Sequence, residues 1–408
     1  MTYTGDNMTG VRKKNRSAVL QALQRSGGMS RKNLADMLKL TPAAITHITA
    51  ELLSEKLLIE GDAVKGPKAG RREVILKINE HAGVALGILI NLRECMISAT
   101  YLDGTLLFSE ELIHMQQIPA DKMVQVISQR MLEQMNKSGI SRESVLGLGI
   151  AIRGVLSEDE RSVLNSFRAL DQRNYPIVEK FEETLGVPTY LANNVRALFA
   201  AEAFLRHYSS SAELFVRGEY GIGSALAVHG KIWAGIGEQC GEIGHIPVVP
   251  RGGKVCSCGK SGCLETISSP TAIREDALAV CSAEKTPILY RLVQKKTEEG
   301  VTLEDVFSAA KGGDGPVQDI VDRAIRVLGY ALKSAIYLLD PERITLYGRL
   351  FEDSYYLSRF LSEMSEGLDD SHSKRVVIEK SKFNRRLESS CASLWFIRKF
   401  YENGGMRS

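Results

Sequence analysis

The stretch Gly241–Glu265, GEIGHIPVVPRGGKVCSCGKSGCLE, decides how the whole chain is interpreted because it concentrates ligands for a metal ion. His245, Cys256, Cys258 and Cys263 supply one imidazole and three thiols, the groups that zinc prefers. Glycines between the cysteines let the backbone turn tightly enough to bring the thiols together. Four protein ligands close a tetrahedral site and leave no open position, so the sequence predicts a structural zinc site rather than a catalytic one.

A carboxylate and an imidazole lie three residues apart in the same stretch. Glu242 and His245 share a face if they occupy one helical turn. The metal would then fix a loop beside two groups suited to binding a small molecule. The alternative is that the histidine and the cysteines are buried separately and bind nothing; their close spacing and the flanking glycines favour the metal.

Length and composition indicate a soluble globular protein of two or three domains. The chain has 408 residues, of which 44% are hydrophobic and 25% are charged. It contains no run of 18 apolar residues, and its N-terminus lacks the apolar core of a signal peptide. Its seven cysteines are odd in number and mostly clustered, which favours metal binding over disulfides in a reducing compartment. We therefore expect a cytoplasmic protein without a membrane span.

Charge is distributed unevenly along the chain. Residues 1–80 carry 14 Lys and Arg against 8 Asp and Glu, a net charge of +6, whereas the remainder carries a net charge of −3. A basic N-terminal segment on a nearly neutral body suggests an anionic partner, most simply nucleic acid. On charge alone, a basic surface that only improves solubility is an equal alternative.

Three helical patterns, at residues 12–25, 30–39 and 41–53, open the basic segment. In the third, Thr41 is a candidate N-cap and Pro42 fits the first helical position. One face of this helix is apolar and would pack inward: Ile45, Ile48 and Leu52. The opposite face is small and polar, as expected of a helix that enters a DNA major groove: Ala43, Thr46 and His47.

A hairpin pattern follows at Ile59–Ile78, with a basic tip at residues 66–72. Within the tip, Lys68, Arg71 and Arg72 could reach phosphates or enter a minor groove. Three helices and a basic hairpin predict a winged helix-turn-helix that binds double-stranded DNA, at residues 1–78. The alternative is a small helical module that binds another protein.

Strand and helix patterns alternate through the rest of the chain, which predicts an α/β body. Two halves each begin with hairpin-type strands, and this indicates a duplicated, two-lobed fold. We place the first lobe at residues 79–192, completed by a C-terminal helix at 388–408, and the second lobe, with the zinc loop, at 193–387.

Several motifs together resemble the ROK family of sugar kinases and sugar-responsive repressors, over nearly the whole chain. They are the winged helix, Asn193-Asn194 after a strand, EIGH at 242–245, CSCGKSGCLE at 256–265 and a terminal helix. The resemblance implies a two-lobed actin-like or ribonuclease H-like fold, with sugar bound between the lobes, and winged helices occur in the repressor branch. It also implies the sugar-binding positions: Asn193, Asn194, Glu242, His245 and Glu265.

The same resemblance indicates that the kinase motifs are lost. Family kinases carry Asp-x-Gly-Gly-Thr where this chain has Leu89–Arg93, and both glycines and the acidic residue are missing. Leu92 places a side chain where the backbone must approach phosphate. Family kinases also carry Asn-Asp in place of Asn193-Asn194, and an amide cannot act as the general base.

The sequence therefore predicts a repressor of carbohydrate-utilisation genes without enzymatic activity, induced by a monosaccharide or a sugar phosphate. Two-fold operators make a homodimer or homotetramer the expected assembly. One alternative is a regulator sequestered by a protein partner, such as a sugar transporter domain, with a vestigial cleft. Another alternative is an active ATP-dependent sugar kinase.

Overall fold

The computed structural model describes residues 8–64, 73–91, 95–112, 118–166, 169–206, 211–296, 300–383 and 385–406. The chain divides into two compact units. Unit 1 comprises Met1–Tyr208 and Asn384–Ser408, and unit 2 comprises Ser209–Phe383. Unit 2 is therefore inserted between two segments of unit 1.

Unit 1 begins with a winged helix. Its elements are α1 (Met8–Ser26), β1 (Met29–Ser30), α2 (Arg31–Leu38), α3 (Pro42–Ser54), β2 (Leu58–Val64) and β3 (Glu73–Ile78). The strands form an antiparallel sheet in the order β1-β3-β2. The Ser30 and Thr41 side chains cap α2 and α3 by accepting hydrogen bonds from the backbone N–H groups of Asn33 and Ala44. The predicted tip of the hairpin, with Lys68, Arg71 and Arg72, lies outside the described residues.

The α/β part of unit 1 surrounds a five-stranded sheet with the order β10-β7-β4-β5-β6. Its elements are β4 (Val84–Ile90), β5 (Cys95–Tyr101), β6 (Leu106–Leu112), α4 (Ala120–Lys137), β7 (Val145–Ile152), β8 (Val155–Leu156), β9 (Val163–Asn165), α5 (Ile177–Leu185), β10 (Thr189–Asn193) and α6 (Asn194–Arg206). The strands β4 and β7 are buried along their whole length, as their uninterrupted apolar sequences predict.

Unit 2 contains a second five-stranded sheet, with the order β13-β12-β11-β14-β15. Its elements are β11 (Ala212–Gly218), β12 (Ile222–Val228), β13 (Lys231–Trp233), α7 (Glu265–Ser268), α8 (Pro270–Ala279), α9 (Pro287–Lys295), α10 (Leu303–Lys311), α11 (Gly315–Leu339), β14 (Arg343–Tyr347), α12 (Ser354–Ser365), α13 (Asp370–Ser373) and β15 (Val377–Lys380). Among the described helices, none combines the length and the apolar content needed to cross a membrane.

The two five-stranded sheets have the same topology. In each, a three-stranded antiparallel meander is extended at its first strand by two parallel strands: β7 and β10 in unit 1, and β14 and β15 in unit 2. Hairpin turns suffice for the antiparallel neighbours, whereas each parallel strand is reached through a longer helical connection that precedes it in sequence. The duplication indicated by the sequence is therefore present in the strand order.

Two helices after unit 2, α14 (Arg385–Glu388) and α15 (Cys391–Glu402), return the chain to unit 1. Helix α15 packs on β4, β7 and α6. Unit 1 extends beyond the lobe boundary suggested at residue 192 because α6 packs against α15 and stays with the first sheet.

Glycines in β4 and β7 leave the space that α15 occupies. A β-carbon added at Gly149 would lie 1.8 Å from the Ala392 carbonyl oxygen, and one at Gly147 would lie 2.2 Å from the Phe396 ring. At Gly87 it would lie 2.6 Å from the backbone nitrogen of Ser393. The backbone of the strands therefore contacts the helix directly.

We predict that Gly149→Ala lowers the free energy of unfolding by about 3 kcal/mol, because the added methyl group must displace the α15 backbone. Gly237→Ala is the matched control, since a β-carbon there meets no atom within 4 Å. Urea unfolding followed by circular dichroism measures both variants. Equal midpoints for Gly149→Ala and Gly237→Ala would contradict the packing described.

Candidate functional site

The predicted metal ligands converge in unit 2. One ligand atom from each of His245, Cys256, Cys258 and Cys263 lies within 4.8 Å of all the others. The Cys258 and Cys263 sulfurs are 3.7 Å apart, and the Cys256 sulfur is 3.4 Å from His245 Nδ1. A tetrahedral zinc ion with the usual bond lengths separates two sulfurs by about 3.8 Å and a sulfur and a nitrogen by about 3.6 Å. The donor set and its spacing therefore suit a tetrahedral metal ion.

Backbone hydrogen bonds give the metal loop its shape. The Cys256 N–H donates to the Lys260 carbonyl (2.7 Å), and the Gly262 N–H donates to the Lys254 carbonyl (3.0 Å). Gly262 has a φ of +77°, and a β-carbon there would lie 2.3 Å from the Val249 carbonyl oxygen. Only glycine fits this position, so the turn that presents Cys263 is built into the sequence.

The Cys258 and Cys263 thiols differ in acidity. Burial, together with the adjacent thiols, raises the pKa of Cys263 to about 12. Burial also opposes ionisation of Cys258, but hydrogen bonds from the Lys260 N–H and the neighbouring thiols outweigh it and lower the pKa of Cys258. A metal ion that binds here must displace the remaining protons, because the thiolate is the ligand form.

Glu242 lies beside the histidine of this group. It directly precedes a short 3₁₀ turn, Ile243–His245, and its Oε2 is 3.8 Å from His245 Nε2. The Nδ1 of the same ring faces Cys256. Glu242 therefore lies on the side of the His245 ring opposite the nitrogen that faces Cys256.

Glu265 connects the metal loop to a glycine-rich segment. Its Oε1 accepts a hydrogen bond from the Ser257 hydroxyl (3.3 Å), and its Oε2 accepts one from the Ile222 N–H (3.2 Å) at the start of β12. A β-carbon at Gly221 would lie 2.0 Å from this carboxylate. Gly221 is thus required for the contact, which the sequence pattern alone did not reveal.

Asn193 and Asn194 belong to unit 1, where both side chains make internal hydrogen bonds. Asn193 Oδ1 accepts from the Val195 N–H (2.9 Å) at the start of α6, and its Nδ2 donates to the Gly154 carbonyl (3.1 Å). Asn194 Nδ2 donates to Asn91 Oδ1 (2.8 Å), and both of these residues are buried.

The remaining predicted sugar ligands, Glu242, His245 and Glu265, belong to unit 2, and the sugar-binding role of all five residues stays a prediction. Sequence reasoning did not identify Asn91 as a partner of Asn194. The only indication of Asn91 in the sequence is its position in the segment that lacks the glycines of the family kinases.

Helix α3 has the two faces that its sequence predicts. Ile45, Ile48 and Leu52 are buried. The opposite face is exposed: Ala43, Thr46 and His47. His47 Nε2 lies 3.1 Å from Glu51 Oε1 on the next turn. Contact of this face with DNA stays a prediction, as does that of Lys68, Arg71 and Arg72.

Comparison with known proteins places these features in one family. The model of the ROK family matches residues 86–397. The DNA-binding transcriptional dual regulator NagC of Escherichia coli strain K12 is 26% identical over 355 residues, which are 85% of this chain and 83% of that protein.

Two solved structures share the fold. A ROK family transcriptional regulator, described as a homolog of the E. coli MLC protein, has a TM-score of 0.79 at 24% identity and covers 97% of both chains. A ROK family glucokinase from Streptomyces griseus, in complex with glucose and AMPPNP, has a TM-score of 0.65 at 21% identity and covers 76% of this chain and 99% of that one. The predicted winged helix followed by a two-lobed actin-like fold is confirmed. Because the family model matches more than half of its residues, the chain belongs to the ROK family.

Proposed function

We propose that this protein is a DNA-binding transcriptional repressor of carbohydrate-utilisation genes that responds to a sugar or a sugar phosphate. The observation that carries the proposal is an exposed, small and polar face on α3, in a winged helix joined to a sugar-kinase fold. The similarity to NagC and to the regulator structure spans both parts of the chain, which supports the proposal.

On DNA, two copies of the chain bind the two half-sites of a palindrome as a homodimer or within a homotetramer. Ala43, Thr46 and His47 contact base edges in the major groove. Lys68, Arg71 and Arg72 contact phosphates or the minor groove, where positive charge lowers the free energy of binding. Their cationic side chains make the affinity depend on salt concentration.

Amide, carboxylate and imidazole side chains hold the hydroxyl groups of the effector: Asn193, Asn194, Glu242, His245 and Glu265. A sugar changes DNA affinity only to the extent that it binds one arrangement of the protein more tightly than the other. Glu265 accepts hydrogen bonds from the Ile222 N–H and from the Ser257 hydroxyl, which tie this candidate sugar ligand to β12 and to the metal loop, respectively.

The metal is structural zinc, held by His245, Cys256, Cys258 and Cys263. When bound, it supplies a rigid cross-link in a loop of little secondary structure. Glu242 then faces His245 across 3.8 Å, and Glu265 accepts from Ser257 between two of the cysteine ligands. The zinc site thus positions two of the proposed sugar ligands.

The protein binds its effector without turning it over. In place of a glycine that would approach ATP phosphates, Asn91 carries a buried side chain that accepts a hydrogen bond from Asn194. Asn194 stands where the family kinases have the aspartate base, and an amide does not take a proton from a sugar hydroxyl. Asn91 and Asn194 are hydrogen-bonded to each other, so the two differences from the family kinases are adjacent in unit 1.

We predict that Arg71→Ala weakens binding to DNA from upstream of the gene that encodes this protein and reduces the slope of log affinity against log salt concentration by about 1. Fluorescence anisotropy at several salt concentrations measures both quantities. Lys231→Ala, at an exposed position in β13, is the control and should match the wild type. A salt slope unchanged in Arg71→Ala would exclude the hairpin tip from the interface.

We predict that the purified wild type holds about one zinc ion per chain and that Cys258→Ser loses it, because three ligands bind zinc far less tightly than four. The sugar response should be lost together with the metal. Cys281→Ser, which removes a cysteine outside the group, should keep both. Inductively coupled plasma mass spectrometry gives the metal content, and a wild type purified without zinc would contradict the assignment.

A further inference from the structure

An arginine is buried in the middle of the winged helix. Arg16, on α1, has only 1% of its surface exposed, and it is among the largest fully buried side chains of the described residues. Removing a guanidinium group from water costs free energy unless its N–H groups donate to acceptors in the protein. The groups that surround Arg16 must therefore offset the cost of burying it.

Arg16 contacts two elements that are distant in the sequence. Its Nε donates to the Gly404 carbonyl (2.8 Å), just beyond α15. Its Nη1 donates to Glu51 in α3 (3.2 Å) and to Glu55 directly after α3 (2.8 Å). One planar side chain thus joins the end of the C-terminal helix to the helix that carries the predicted DNA-reading face.

The Gly404 carbonyl is held in a fixed position. Gly404 and Gly405 both have a φ of +73°, and their N–H groups donate to the carbonyls of Tyr401 and Phe400, which ends α15 in a left-handed turn. A β-carbon at Gly405 would lie 2.7 Å from the Leu57 side chain of the winged helix. No larger residue fits without displacing one of these partners.

Helix α15 is anchored in the α/β part of unit 1. The Trp395 indole N–H donates to the Leu191 carbonyl (3.2 Å) in β10, and the Tyr401 hydroxyl donates to the Leu102 carbonyl (3.1 Å). The strands below the helix contact its backbone through their glycines. Any displacement of β7 or β10 therefore displaces α15 and the carbonyl that Arg16 binds.

Glu51 continues the network to the exposed face of α3. Its Oε1 lies 2.9 Å from Arg12 Nη2 and 3.1 Å from His47 Nε2. Burial alone would raise the pKa of Glu51, but hydrogen bonds from Arg12 and Arg16 outweigh this effect and lower it. Glu51 thus stays ionised at neutral pH and keeps its contacts with three basic side chains.

We propose that Arg16 is a positioning residue that sets the orientation of α3, and with it His47, against α15 and the α/β part of unit 1. The inference rests on the proposed DNA binding and adds the contact through which the body of the protein controls the reading helix. Arg16 itself is buried and does not contact phosphate. Lysine cannot replace it, because an ammonium group lacks the planar fork that bonds to three acceptors in different directions.

The test compares Arg16→Lys with Arg25→Lys in the full-length protein. Both substitutions conserve charge on α1, and Arg25 is exposed near its end. Hydrogen–deuterium exchange of the free protein should show α3 amides exchanging roughly tenfold faster in Arg16→Lys only, since a charge-assisted hydrogen bond is lost. Exchange in β4, β7 and α15 should stay at the wild-type rate, which shows that the fold is intact.

DNA binding supplies the second readout. With DNA from upstream of the gene, Arg16→Lys should raise the Kd roughly tenfold. The salt slope should stay unchanged, because no phosphate contact is removed. A reduced salt slope would mean that Arg16 contacts DNA directly and would overturn the positioning role.

Glu55→Gln provides a milder variant if Arg16→Lys does not fold. The Glu55 side chain is 42% exposed, so its replacement leaves no deeply buried charge. Glu55→Gln should also accelerate amide exchange in α3, by a smaller factor than Arg16→Lys. If the folded variants exchange their α3 amides at the wild-type rate, the proposal is overturned. If the wild type binds no DNA at all, the proposed function fails, and the exchange experiment still decides the role of Arg16.

Discussion

The close contact between α15 and the glycines of β4 and β7 is the constraint on which the rest of unit 1 depends. Because Gly87, Gly147 and Gly149 carry no side chains, the helix backbone lies directly on the sheet. The helix also packs on α6 and α1, so it joins the sheet to the winged helix. All of unit 2 lies between β10 and α15 in the sequence, so unit 1 is complete only when the chain has returned from unit 2.

Close contacts at glycines also shape the candidate site in unit 2. Glycines again allow close approach, at Gly221 for the Glu265 carboxylate and at Gly262 for the metal loop. The result is a compact group in which the ligands of the proposed zinc site and two proposed sugar ligands are neighbours. A change in metal occupancy is therefore expected to alter the position of Glu242 and Glu265. This expectation connects the structural metal with the effector response.

Features set by local sequence could be predicted. The cysteines and His245 converge because they are close in sequence and separated by glycines. The faces of α3 follow from helical periodicity. The family resemblance added the two-lobed fold, which periodicity alone only suggested.

Features set by contacts distant in sequence could not be predicted. Arg16 lies in a basic segment and is indistinguishable there from an arginine that faces DNA; its burial depends on Gly404, nearly the whole chain away. The pairing of Asn91 with Asn194 depends on the parallel alignment of β4, β7 and β10. That α6 belongs to unit 1 depends on its packing against α15, which nothing in the sequence of α6 itself indicates.

The most direct test of the account is a fluorescence anisotropy titration of the full-length protein on DNA from upstream of its gene, with a panel of free and phosphorylated monosaccharides at fixed salt. The account predicts tight binding that one sugar or sugar phosphate weakens at least tenfold, corresponding to a coupling free energy of about 1.4 kcal/mol. Tight binding that no member of the panel changes would contradict the sugar response and leave a protein partner as the signal. Absence of specific DNA binding would contradict the repressor function itself.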